Sequence, residues 1–128
     1  MQIAVSESAS GKSVDLRNLA ANICGARRDR DEIFNNPLFA NPAWNLLLDI
    51  YSRSGNVEKI SVKSVCRGSL VPETTAVRYI ASLAEHGYVR SSLGDDRFPT
   101  VSMTALGIDL MVKWLTRVNA PKFFGSGG

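Results

Sequence analysis

The sequence of 128 residues predicts an α+β domain, mostly α, built around one core. Three observations predict it. Apolar residues recur at helical spacing near both ends of the chain: Val14, Leu16, Leu19, Ala20, Ile23 and Cys24, then Leu106, Ile108, Leu110, Met111, Trp114 and Leu115. Two strand-like runs, Tyr88–Ser92 and Thr100–Met103, flank the turn residues Gly94–Asp95–Asp96–Arg97. Cap and turn residues such as Asn41–Pro42, Pro72 and Gly87 divide the middle of the chain into short helices.

Taken in order, residues 1–12 are rich in Ser, Ala and Gly and read as a flexible tail. Ser13 caps a helix that begins at Val14, and Gly25 weakens that helix midway. Asn35, Asn36 and Pro37 end it. Asn41, followed by proline at the first helical position, opens a second helix with Trp44, Leu47, Leu48, Ile50 and Tyr51 on its buried side. That helix stops at Ser54–Gly55–Asn56. Lys59–Val62 is a short strand, and Ser61 caps a helix whose Val62, Val65 and Cys66 face inward. Pro72 starts the next helix and Gly87 closes it as a left-handed C′ residue. The hairpin follows, and Pro99 suits an edge strand. Thr104 caps the last helix. The domain spans 13–118, and residues 119–128 form a loose tail.

Composition narrows the function classes. Net charge is +3 and pI about 9.1, which permits nucleic-acid binding. Residues 1–56 balance six basic against six acidic side chains, and 57–118 carry eight against six, so a binding argument rests on placement. No apolar run reaches bilayer length, and the N-terminus lacks a secretory pattern, so a cytoplasmic location without membrane contact is expected. Cys24 and Cys66 match no zinc spacing and sit in apolar patterns, where small core residues are expected. His86 is the single histidine, placed at a helix end. No nucleophile–base pair, metal cluster or phosphate loop is visible, so neither an enzyme nor a cofactor is expected.

The stretch Ile60–Ser92 reads as helix, tight turn, helix, strand. With its neighbours it gives the order helix, helix, strand, helix, helix, strand, strand, helix, that of a winged helix-turn-helix with an extra N-terminal helix and one C-terminal helix. In the helix of about 72–86, Ala76, Tyr79, Ile80 and Leu83 share one face. Glu73, Thr74, Thr75, Val77, Arg78 and Ser82 remain for recognition. Short hydroxyl side chains let a helix lie near base edges, and Val77 suits a thymine methyl. Arg78 can bond a guanine or clamp a phosphate. Glu73 suits the helix dipole or a cytosine. Lys63 and Arg67 flank the preceding helix and suit the DNA backbone. Arg97 at the wing (about 90–102) suits a backbone or minor-groove contact. The mixed run Arg27–Glu32 reads as a solvated face.

These residues resemble the MarR-type winged-helix regulators, a broad family of bacterial DNA-binding transcription factors. Val62, Val65 and Cys66 fall on its apolar-x-x-apolar-Ala segment. Thr74, Thr75 and Arg78 fall on its Ser-Thr-x-x-Arg segment. Leu83, Gly87, Tyr88 and Val89 fall on its Leu-x-x-x-Gly-apolar-apolar helix end. Asp96–Arg97 is similar to its wing Asp-Arg, and Val101–Gly107 to its V-x-L-T-x-x-G. The resemblance covers about residues 40–112. It implies a transcriptional regulator that binds double-stranded DNA as a homodimer; no small-molecule effector is carried over from the family. Leu16, Leu19, Ile23, Leu110, Met111, Trp114 and Leu115 are the expected dimer seam. The competing expectation is a winged-helix protein-interaction module without DNA binding.

Overall fold

The computed structural model describes residues 2–34, 41–55, 59–94 and 97–119, with side chains from Asp15 onward. Asn41 and Pro42 set the first clear local signal. The Asn41 side chain accepts the Trp44 N–H, and Pro42 occupies a position whose missing N–H costs nothing. The resulting helix is α2 (Pro42–Arg53), which follows α1 (Gln2–Phe34). Next come β1 (Ile60–Ser61), α3 (Val62–Ser69), α4 (Glu73–Glu85), β2 (Val89–Ser91), β3 (Thr100–Met103) and α5 (Ala105–Asn119). The described residues therefore form an α+β fold, mostly helical, with five helices and a three-stranded antiparallel sheet. None of these helices is long and apolar enough to cross a membrane.

The core is fed by every element. Leu46, Leu48, Ile50 and Tyr51 of α2 are buried at its centre, with Val62 and Val65 of α3, Ile80 of α4, Val101 of β3 and Leu115 of α5. Trp44 packs partly buried at the margin. Helix α1 adds Leu16 and Ala20 and lies against α2 and α5. Burial of side chains this large stabilises by about 1.5–3 kcal/mol each, against the entropy of ordering the chain.

Three expectations need correction. Helix α1 runs from Gln2, so Ser13 lies inside it and is not the cap expected of it. No proline interrupts residues 2–34, and Gly11 and Gly25 are both carried within the helix. The second correction concerns Pro99. The sheet order is β1-β3-β2, so the strand after Pro99 is central, not an edge. Pro99 itself stands one residue before β3 and supplies only its carbonyl, which accepts the Val62 N–H at 3.0 Å. A missing donor is harmless there. Third, Pro72 is the N-cap of α4 and not its first residue, and its carbonyl accepts the Ala76 N–H at 2.8 Å. Asn35, Asn36, Pro37, Asn56, Asp95, Asp96 and the tail beyond Asn119 lie outside the described residues.

Helix ends follow their capping chemistry. Ser61 accepts the Ser64 N–H at 3.3 Å and starts α3. Helix α3 ends on Leu70, left-handed at φ 58, the one non-glycine residue of positive φ among the described residues. That conformation costs a leucine about 1–2 kcal/mol. Burial of the next residue, Val71, and its N–H bond to the Cys66 carbonyl hold the turn. At the far end of α4, Gly87 is left-handed as expected at φ 84. Its N–H donates to the Ala84 carbonyl and that of Tyr88 to the Leu83 carbonyl, the paired bonds of a Schellman ending.

Candidate nucleic-acid interface

Helix α4 divides its residues as the periodicity predicts. Ala76, Ile80 and Leu83 are buried, and Tyr79 is half-buried. Glu73, Thr74, Val77, Arg78 and Ser82 are exposed on the outward face, while Thr75 is partly turned in. The helix is held by α2 behind it and by α3 across the Leu70 turn. Its outward face carries the short side chains Thr74, Val77 and Ser82 and the longer, oppositely charged Glu73 and Arg78.

The hairpin brings a second set of groups to this face. Strands β2 and β3 pair Val89 with Met103, Arg90 with Ser102 and Ser91 with Val101. Strand β1 pairs Ile60 with Val101 and Ser61 with Thr100 on the other side of β3. The central strand thus ties the start of α3 to the base of the hairpin. As a result Ser61, Val62, Lys63, Glu73, Val77, Arg97, Phe98 and Pro99 line one cleft of about 90 Å3. Four of the predicted site residues meet there: Lys63, Glu73, Val77 and Arg97. Arg67, Thr74, Thr75, Arg78 and Ser82 lie outside the cleft, on the neighbouring turns of α3 and α4. Phe98 is the residue that sequence reasoning passed over. Its only signal was an aromatic beside an arginine at a turn.

Among the described side chains, the arginines of α1 are used internally. The Arg28 Nη1 group donates to the Gly68 carbonyl of α3 at 3.0 Å, and Arg27 donates to Asn45 Oδ1 of α2 at 3.3 Å. Arg30 pairs with Asp31 at 3.3 Å. The Arg27 and Arg28 bonds dock α1 on α2 and α3, while the Arg30–Asp31 pair stays within α1. Beneath them Asp49 is only 5% exposed, with Arg53 Nε at 2.9 Å from Oδ2. Burial pushes the Asp49 carboxyl above its usual value, opposed by the charges of Arg53 and Arg28. Burial first, and Asp49 second, push the Cys24 thiol up to about 11, against the pull of Arg28, Arg27 and Arg53. Burial, with Glu73, also raises Cys66. Both thiols are therefore protonated at neutral pH, which disfavours nucleophilic chemistry. At the end of α4, His86 Nδ1 lies 2.8 Å from the Ser82 carbonyl and caps its own helix.

The expected dimer seam divides in two. Leu16, Met111 and Leu115 are buried in the chain's own core. Leu19 and Ile23 pack partly buried against that core. Periodicity counts apolar residues but does not say which of them the monomer consumes. Leu110 and Trp114 do face outward, in line with Leu106 and Val118 on α5. Trp114 meets Trp44 edge to face, with ring centroids 4.8 Å apart. Beside them lies an apolar cleft of about 510 Å3 lined by Trp44, Leu47, Leu83, Tyr88, Leu110 and Trp114, among others.

In comparisons with known proteins, the chain matches no family model and no curated protein.

Proposed function

We propose that the chain is a DNA-binding transcriptional regulator of winged helix-turn-helix type, related in design to the MarR-type regulators. In this reading α4 enters the major groove of double-stranded DNA and the hairpin is the wing. The observation that carries it is the outward face of α4, which offers Thr74, Val77, Arg78 and Ser82 while Ala76, Ile80 and Leu83 anchor the other side. The cations Lys63 and Arg97 flank that face. In this reading Thr74 and Ser82 offer hydroxyls to base edges, Arg78 binds a guanine or a phosphate, and Lys63, Arg67 and Arg97 bind backbone. A homodimer formed through the outward stripe of α5 presents two such helices to a two-fold site.

The test is fluorescence anisotropy with labelled duplexes over a salt series. Binding that falls steeply with salt is expected. Arg78→Ala is expected to weaken specific binding by about 1–3 kcal/mol. Equal binding by wild type and Arg78→Ala would remove α4 from the interface.

A second reading has its own support. The apolar stripe of α5 and the adjoining cleft suit a protein partner, which makes the chain a winged-helix interaction module. No binding to any duplex at low salt, together with stoichiometric capture of one protein, selects that reading.

A further inference from the structure

The cleft that gathers Lys63, Glu73, Val77 and Arg97 also carries an aromatic ring, Phe98. Phe98 is 71% exposed at the end of the hairpin loop, one residue before Pro99. The Arg97 guanidinium carbon lies 5.8 Å from its ring centroid, within cation–π range. Behind the ring, Pro99 has a fixed φ, and its carbonyl holds the Val62 N–H. Thr100 then enters the central strand. The ring thus stands on a root bonded to both α3 and the sheet.

Its place on the surface defines what it can touch. Phe98 and Val77 line the same cleft, and Val77 belongs to the outward face of α4. With α4 in a major groove, this flank meets the sugar–phosphate strand bordering that groove and the minor groove beyond it. Lys63 and Arg97 suit the phosphates of the border. A phenyl ring has nothing to offer a phosphate. It gains contact only past the border, against deoxyribose carbons and base edges, where apolar side chains of other proteins wedge between base steps. The apolar cleft beside α5 shares no residue with this one, so Phe98 does not extend that surface.

We propose that Phe98 is a minor-groove wedge: held by Arg97 and backed by Pro99, it enters beside the α4 site and partly unstacks one base step. This rests on the DNA-binding reading above. The wedge favours pyrimidine–purine steps, which unstack most readily. It therefore reads sequence at a position that α4 does not contact.

The experiment uses the full chain and a duplex selected from a random pool by the wild-type protein at low salt. 2-Aminopurine replaces single bases in turn on each side of the α4 site, and its fluorescence reports unstacking. Wild type is expected to raise the fluorescence at one flanking step. Phe98→Ala is expected to bind about tenfold more weakly and to give no rise even at saturation. Arg78→Ala is expected to bind more weakly yet to give the rise once saturated. The exposed position of Phe98 leaves folding intact, which thermal melting checks. Wild-type binding without a rise at any flanking step overturns the wedge, and so does a full rise with Phe98→Ala. Failure of the wild type to select any duplex is a different result. It removes the DNA-binding reading itself, before Phe98 is compared.

Discussion

Thr104 and Gly87 are joined through one hydroxyl. Thr104 Oγ1 donates to the Gly87 carbonyl at 2.5 Å and accepts the Gly107 N–H at 3.0 Å. A single side chain thereby caps α5 and binds the left-handed residue that ends α4. Thr104→Val keeps the shape and removes both bonds. Urea unfolding is expected to show a loss of about 1–2 kcal/mol, with Thr104→Ser close to wild type. Unchanged stability of the valine variant would mean that the link contributes nothing.

Two glycines are expected to respond with opposite sign. A Cβ on Gly107 would run into the backbone carbonyl of Tyr88, so Gly107→Ala is expected to cost more than about 2 kcal/mol. A Cβ on Gly25 meets nothing within 4 Å, and that residue lies inside α1. Gly25→Ala is expected to stabilise by about 0.5–1 kcal/mol through helix propensity. Paired thermal melts of the two variants measure both.

Asp49 predicts a pH dependence. Its folded-state value lies above the ordinary 3.8, chiefly through burial. A carboxyl raised on folding contributes stability that is fully present below 3.8 and is lost as pH rises through the folded value. Asp49→Asn lacks this contribution. The stability of wild type minus that of Asp49→Asn is therefore expected to fall as pH rises above 3.8. Chemical unfolding of both proteins across that range decides it. A difference that grows with pH would mean that the Arg53 contact outweighs burial.

The proposed dimer separates surface from core on one helix. Leu110 is 41% exposed and Met111 only 2%, although they are neighbours. Leu110→Glu is expected to leave a folded monomer in analytical ultracentrifugation. Met111→Ala is expected to lose about 2–5 kcal/mol of stability while still dimerising where folded. A wild type that sediments as a monomer at high concentration would dispose of the seam.

Much of this architecture is legible from short-range chemistry. The Asn41–Pro42 start, the Ser61 and Thr104 caps and the Gly87 stop each depend on a few neighbouring residues, and each appears where the sequence puts it. The periodicity of α4 likewise separates Ile80 from Arg78. What was not legible depends on distant partners. The Ser69–Leu70–Val71 turn has no glycine to announce a left-handed residue, because burial of Val71 and not local preference imposes it. Leu16 and Leu110 look alike in a helical pattern, and only the packing of α1 on α2 and of α5 on α1 and β3 decides which is covered. The meeting of Arg97 with Lys63 and Val77 follows from β1 pairing across β3, a contact some forty residues apart in the chain.

That pairing also dictates where the chain can change length. The Pro99 carbonyl and both edges of β3 clamp the root of the hairpin to its neighbours. An extra residue at the root would slip the register and turn Val101 and Met103 out of the core. At the Leu93–Gly94 turn the same insertion would only lengthen a loop. Variation in reach belongs at the tip, and the helix pair can stay as it is while the span of its arm is retuned.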